Sequence, residues 1–225
     1  MCFSATASFG SCAILTAIGV ATMTKARTRP QKLLAAMPLI FAYQQLSEGF
    51  VWLSVQHAAF APYKNIAMYS FLLIAQLVWP LFVSSSVWLL EPDPVRKKKL
   101  LWFVVSGWAA VIFFIFCLSL CTADVVVSKY HIQYVLDFPL VHRWFYAIIY
   151  FIPAMIPPFF STVKRMPWLG TLLLISYLIS RFCYRDYIVS VWCFFGALSS
   201  IVVLLIIKGL VEDNKLPESQ IKTGN

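Results

Sequence analysis

Charged residues are scarce in this chain of 225 residues. They make up 12% of it, against about 25% in soluble domains, and only nine are acidic. Hydrophobic residues make up 61%, more than a water-soluble globule of this size could bury. The composition therefore excludes a soluble enzyme, and also a collagen-like, a disordered or a small disulfide-rich chain. A mean hydropathy of +0.80 predicts an integral membrane protein instead.

Nucleic-acid-binding motifs are also missing from the sequence, although the net charge is +9. The basic residues stand between apolar runs, which is typical of the loops that flank membrane helices on the cytoplasmic side. We therefore expect the lipid bilayer, and no nucleic acid, as a partner. The oligomeric state stays open at this point.

Seven apolar runs divide the chain. About 20 residues cross a bilayer core as a helix, so the runs predict an all-α, seven-helix transmembrane bundle. We assign this domain to residues 1–210 and a polar cytoplasmic tail to residues 211–225. The runs are 8–24, 33–57, 66–90, 100–121, 144–162, 166–184 and 187–207.

The loops between these runs differ in basic charge. Thirteen of the 18 lysines and arginines fall on one side of the predicted bundle and five fall on the other. In membrane proteins the side with more basic residues is the cytoplasmic one. We expect the N-terminus outside and the C-terminus in the cytoplasm, which suits an odd number of spans.

The longest loop, residues 122–142, lies on the outer side in this topology. Its centre is rich in β-branched and aromatic residues, which favours a short hairpin. An irregular loop fits the same composition equally well. In either form the segment is expected to cap the outer end of the helix bundle.

One carboxylate, Glu48, lies well inside a predicted span. An ionisable side chain at that depth costs about 2.5–3.5 kcal/mol on insertion scales, so it needs a partner within the bundle. At about 100° per residue, a mostly polar stripe runs along one arc of the second helix. The stripe consists of Gln44, Gln45, Glu48, Trp52 and Gln56.

Two interpretations of this stripe stay open. In the first, its amides and carboxyl group hydrogen-bond to neighbouring helices and only hold the bundle together. In the second, the stripe lines a functional pocket. Arg181, about one turn from the outer end of the sixth span, is the best basic candidate to pair with Glu48. Snorkelling of Arg181 toward the membrane interface explains its position as well.

Prolines interrupt two of the spans. Pro80 has no N–H to donate to the carbonyl of Gln76, so that carbonyl is freed within the third span. The fifth span contains Pro153, and it presents Tyr146 and Tyr150 on the same face as this proline. Both helices are therefore predicted to kink. Kinks open cavities, but they are also common in plain membrane bundles, and this structural role is the favoured interpretation of the prolines.

All six cysteines fall in the outer half of the membrane or outside it in this topology. A disulfide such as Cys121 with Cys183 is one outcome there, and inert packing is another. No paired metal-binding motif accompanies the cysteines, so we assign no metal site, and the cofactor stays unknown. Cys2 becomes the N-terminal residue once Met1 is removed, and it is then a candidate nucleophile.

Three segments carry a resemblance to one known family. They are residues 1–9 (MCFSATASF), 38–52 (PLIFAYQQLSEGFVW) and 190–197 (SVWCFFGA). In these segments the chain resembles a family of uncharacterised bacterial multi-pass membrane proteins with an MCFSATASF-type N-terminus. The resemblance implies the bacterial inner membrane and supplies no chemistry. It singles out the N-terminal segment, the Glu48 stripe and the part of the last span that carries Trp192 and Cys193.

Three functions fit these residues. The first is a binding, sensing or transport module for a small molecule, lipid or ion, with an outward-facing polar pocket around Glu48. The second is a membrane-embedded enzyme acting on a lipid or a thiol, with Glu48 as acid/base and Cys2 or Cys193 as nucleophile or redox group. The third is a structural or assembly role. The candidate ligand-binding residues are Gln44, Gln45, Glu48, Trp52, Cys2, Cys193, Trp192 and Arg181.

Overall fold

The computed structural model describes residues 4–128, 131–137 and 143–213 of the chain. Within these residues the predicted all-α class is confirmed, because each of the seven apolar runs is helical and the only sheet is one two-stranded hairpin. Five helices are long and apolar enough to cross a membrane. These five are Ala5–Lys25, Ala58–Leu90, Pro94–Leu120, Met166–Cys183 and Arg185–Asp213.

Polar side chains cap the starts of the first two helices. The side chain of Ser4 caps the first helix, and a capping box of Thr28 and Gln31 starts the second. In chain order the helices before the hairpin are α1 (Ala5–Lys25), α2 (Arg29–Ala35), α3 (Met37–Gln56), a 3₁₀ turn (Ala58–Tyr63), α4 (Lys64–Leu73), a π-helix (Ile74–Val78), α5 (Trp79–Leu90) and α6 (Pro94–Leu120). Those after it are α7 (Arg143–Met155), α8 (Pro157–Phe160), α9 (Met166–Cys183), a 3₁₀ turn (Arg185–Tyr187), α10 (Ile188–Ala197) and α11 (Ser199–Asp213).

Helix α3 carries several buried polar side chains. It has 20 residues but is not one of the five apolar helices, because Gln44, Gln45 and Glu48 lower its hydropathy. All three of these side chains are fully buried. Since hydrocarbon would leave them without hydrogen-bond partners, they require the neighbouring helices around α3.

The third predicted span changes geometry next to Pro80. The N–H of Trp79 donates to the carbonyl of Ile74, five residues earlier, and the turn between them is a π-helix. Such wide turns are frequent at functional sites. Gln76 lies within this turn and is buried.

Glu91 joins the corner between α5 and α6 to the segment between α8 and α9. Its carboxylate is buried and accepts hydrogen bonds from Oγ of Ser161 at 2.8 Å and from Oγ1 of Thr162 at 2.6 Å. The backbone N–H of Thr162 also donates to it, at 2.8 Å. Burial raises the pKa of Glu91, but these hydrogen bonds outweigh burial and hold the pKa below its ordinary value. The corner is therefore held by an ionised carboxylate.

The loop at 122–142 contains an antiparallel hairpin of β1 (Ala123–Ser128) and β2 (His131–Leu136). Its register pairs Val125 with Tyr134 and Val127 with Ile132. Val125, Ile132 and Tyr134 are buried, so one face of the hairpin packs against the helices.

The hairpin docks on α4 through one ring stack and one ion pair. The rings of Tyr134 and Phe71 stack with centroids 4.6 Å apart. Nζ of Lys64 lies 2.6 Å from Oδ1 of Asp124, and this hydrogen bond lowers the pKa of Asp124. At the other side, the ring of His131 stacks on Tyr187 at 4.7 Å. The hairpin therefore bridges α4 and the start of α10.

Three further features bear on the sequence predictions. Helix α11 continues to Asp213, past the predicted start of the tail at residue 211, and the rest of the tail lies outside the described residues. The five described cysteines are free thiols, so the structure does not contain the Cys121–Cys183 disulfide. Among the described residues, no group of three or more His, Cys, Asp or Glu side chains could hold a metal ion.

Candidate functional site

Glu48 lies in the second half of α3 and is held by side chains from two helices. The hydroxyl of Ser190, on α10, donates a hydrogen bond to Oε1 of Glu48. Nε2 of Gln45, one turn earlier on α3, donates to Oε2 over 3.4 Å. The carboxyl group therefore joins α3 to α10 in the interior of the protein.

Gln44 forms a second connection beside the first. Nε1 of Trp79 donates to Oε1 of Gln44 over 3.0 Å, and Nε2 of Gln44 donates to Sγ of Cys193 over 3.1 Å. Trp79 is on α5 and Cys193 is on α10, one turn after Ser190. The described polar network thus ties together three helices that are distant in sequence.

Trp52 and Gln45 each have a buried polar atom without a hydrogen-bond partner among the described residues. Both side chains are buried, and both lie on the same face of α3 as Glu48. In the part of the chain that the structure describes, neither Nε1 of Trp52 nor Oε1 of Gln45 has a hydrogen-bond partner. Buried polar atoms are normally satisfied by protein, water or ligand, so these two atoms are exceptions beside Glu48.

A cavity of about 230 Å³ lies on the other side of Cys193. It is lined by residues of α6, α7, α9 and α10, of the π-helix and of the end of β2. Most of its wall is apolar or aromatic. The lining side chains that carry polar atoms are Gln76, Tyr146, Tyr150, Tyr177, Trp192 and Cys193.

Aromatic rings hold the wall of this cavity in place. The ring of Trp192 meets Tyr150 at 5.2 Å and Tyr177 at 5.6 Å, both edge to face. Phe151 meets Tyr177 in the same way at 5.6 Å. Edge-to-face contacts of this kind add about 0.5–1.5 kcal/mol each beyond burial, so the wall is well ordered. Nε1 of Trp192 is buried and has no hydrogen-bond acceptor among the described residues.

The structure brings some of the predicted site residues together and separates others. Gln44, Gln45, Glu48 and Trp52 form one buried group, and Cys193 connects that group to the cavity through Gln44. The lining of the cavity includes Trp192 and Cys193 but none of the four α3 residues.

Three other predicted residues lie apart from this group or cannot be compared with it. Arg181 is exposed, and the ion pairs among the described residues do not include it. Gln56 is exposed at the end of α3. Cys2 lies outside the described residues.

Two residues of the network were not predicted as site residues. Ser190 precedes Cys193 by three positions on one helix, and this spacing places it on the same face, where small residues predict helix packing. Trp79 stands directly before Pro80, and a buried indole needs an acceptor for its N–H. Neither signal names the partner, because Gln44 lies 35 positions away from Trp79.

In the part of the chain that the structure describes, these features define a class: a helical protein that has five helices apolar enough to cross a membrane and a buried polar network beside an aromatic cavity. The chain belongs to DUF6629, a family of unknown function, whose model matches residues 1–217. No curated protein and no solved structure matches the chain. The family match spans every helix described above, and it assigns no activity.

Proposed function

We propose that the chain is a multi-pass protein of the bacterial inner membrane with seven spans, an outer N-terminus and a cytoplasmic C-terminus. Five apolar helices and the distribution of 13 basic residues against five support this proposal. The 20 residues of α3 extend over about 30 Å, which is the thickness of the hydrocarbon core.

Reporter fusions test this topology. A periplasm-active phosphatase fused after Asn225 should be inactive, whereas the same reporter fused after Thr122, in the predicted outer loop, should be active. A cytoplasm-active fluorescent reporter at the two positions should give the opposite pattern. Phosphatase activity from the C-terminal fusion would overturn the orientation.

We further propose that the protein binds a small molecule in the 230 Å³ cavity next to the Glu48 group. The observation that carries this proposal is the indole N–H of Trp192: it is buried, it has no acceptor among the described residues, and it belongs to a side chain that lines the cavity. A ligand that carries a hydrogen-bond acceptor would satisfy it. An apolar cavity of about 150 Å³ binds benzene, so this cavity can hold a group of roughly ten non-hydrogen atoms.

Native mass spectrometry of protein purified from its own membranes tests ligand binding. The wild-type protein should carry a bound small molecule. Val189→Phe, which fills part of the cavity, should lose most of it, because the added ring occupies the ligand's space. Val105→Phe is the matched control, since Val105 is exposed on α6 and lies outside the cavity lining. A wild-type protein without any bound molecule, or equal retention by both variants, would contradict the proposal.

An enzyme is the second candidate, and one observation favours it. Cys193 lines the cavity and accepts a hydrogen bond from Gln44, so a thiol stands where a bound substrate would lie. Glu48 is one helical turn away through Ser190 and would act as the acid/base group. Preferential reaction of Cys193 with a membrane-permeant electrophile, blocked by Val189→Phe, would favour this candidate over simple binding.

A further inference from the structure

Burial along the cavity wall shows where the cavity opens. Gln76, Phe114 and Cys193 form its buried end. At the other end of the lining, Ala147 is exposed and Ile188 is half-buried, and we call this open end the mouth of the cavity. The cavity therefore runs from the polar network outward to the side of the bundle, between α7 and the α9–α10 pair.

The helices beside this mouth pack loosely against each other. Helix α7 packs chiefly on α5 and α6, and only lightly on α9. Ring contacts such as that between Phe151 and Tyr177 cross the gap and leave the cavity beside them. Such a slot between two helices admits the alkyl chain or the ring of a ligand from the side of the bundle.

The surface around the mouth is apolar. Ile148, next to Ala147 on α7, is 46% exposed, and Leu178, next to Tyr177 on α9, is 41% exposed. Exposed apolar side chains on two adjacent spans face hydrocarbon in a membrane protein. The mouth therefore opens toward lipid.

The hairpin closes the route from water. Leu136 of β2 forms part of the cavity wall, and the hairpin is held down on both sides of it. On the α4 side the contacts are the Tyr134–Phe71 stack and the Lys64–Asp124 ion pair, and near α10 the contact is the His131–Tyr187 stack. A ligand from the aqueous side would have to displace this hairpin, whereas a ligand from the bilayer would not.

Charge restricts the head group of the ligand. None of the described residues that line the cavity is Asp, Glu, Lys, Arg or His. A charged head group placed there would lose its hydration without gaining an ionic partner, which is unfavourable by several kcal/mol. Tyrosine hydroxyls, the Gln76 amide and the Trp192 N–H instead suit a neutral group that both donates and accepts hydrogen bonds.

We infer that the ligand is a lipid-soluble, single-chain amphiphile with a small uncharged hydrogen-bonding head, such as a phenol or an alcohol. Its head lies near Gln76, Trp192 and Cys193, and its chain leaves past Ala147 into the bilayer. This inference rests on the proposed binding function. It excludes phospholipids, whose charged phosphate has no cationic partner in the described lining.

Photolabelling in nanodiscs tests the inference. The probe is 4-octylphenol with a diazirine in its alkyl chain, and labelled peptides are identified by mass spectrometry. We expect labelling of α7 and α10 in the wild-type protein, and at least a fivefold loss in Ala147→Trp, because the indole blocks the mouth. Ile201→Trp should label as the wild type does, since Ile201 is exposed on α11 and lies outside the cavity lining. Thermal unfolding of both variants confirms that each is folded.

Competition by unlabelled amphiphiles then tests whether the site prefers an uncharged head group. Unlabelled 4-octylphenol should suppress labelling of α7 and α10, and octyl phosphate at equal concentration should not. Equal competition by octyl phosphate, or full labelling of Ala147→Trp, would overturn the inference.

A probe without an alkyl chain distinguishes failure of the lateral entry route from failure of the proposed binding function. 4-Iodophenol fits entirely inside the cavity, and its binding is measured by native mass spectrometry with Val189→Phe as the negative control. If the wild-type protein binds 4-iodophenol but is not labelled on α7 and α10, the lateral mouth is wrong and the binding cavity stands. If it binds neither probe, both proposals fail.

Discussion

Glu48→Leu is expected to lower the free energy of unfolding by about 2–4 kcal/mol, whereas Glu48→Gln should change it by only about 1 kcal/mol. Leucine removes the acceptor for the hydroxyl of Ser190 and for the amide of Gln45, and both donors stay buried. Each unsatisfied buried group costs about 1–3 kcal/mol.

The glutamine variant is tolerated for a reason that the structure supplies. Its amide oxygen can still accept from Ser190. Its new NH₂ group meets the NH₂ group of Gln45, but Gln45 can rotate its amide, because its Oε1 has no partner within the described residues. Oε1 of Gln45 then accepts from the new NH₂ group, so the hydrogen bond between these two side chains is restored in the reverse direction.

Ligand retention should respond differently from stability. We expect Glu48→Gln to retain at least tenfold less ligand, because an ionisable group inside a span is usually functional and Ser190 links this one to the cavity-bearing helix α10. Chemical unfolding and native mass spectrometry in the same detergent give both values. Wild-type ligand retention by Glu48→Gln would show that the carboxyl group only joins α3 to α10, and unfolding of that variant would show that its charge is structural.

Gly107→Ala is expected to lower the free energy of unfolding by about 2 kcal/mol. A Cβ atom at Gly107 would lie 3.0 Å from the carbonyl oxygen of Pro80 and 3.2 Å from Cα of Leu81. Both are backbone atoms, so α5 and α6 would have to move apart. The move would also disturb the turn that precedes Pro80, and with it the position of Gln76.

Gly10→Ala is the matched control for this prediction. A Cβ atom at Gly10 meets nothing within 4 Å, and the residue is exposed on α1. Because alanine favours a helix over glycine by up to about 1 kcal/mol, this variant should be as stable as the wild type or slightly more stable. Equal unfolding free energies for the two variants would show that α5 and α6 are not closely packed at Gly107.

Local physics explains why so much of the fold could be predicted. Hydropathy marks the apolar runs, because a helix is the form in which a backbone satisfies its own hydrogen bonds in hydrocarbon. Pro80 predicted the disturbed turn at Gln76, since a missing N–H acts only on the turn next to it. Burial of Gln44, Gln45 and Glu48 on one face of α3 followed from helical periodicity in the same way.

What the sequence determined by itself is therefore the set of helices and the polar face of α3. The tertiary structure decided which helices meet that face. It pairs Gln44 with Cys193 across 149 positions, turns Ser180 inward and Arg181 outward on α9, and leaves the cavity between α7 and α10. In lipid no hydrophobic force selects one helix neighbour over another. That choice rests on close packing and a few hydrogen bonds between distant residues, which no local pattern in the sequence records.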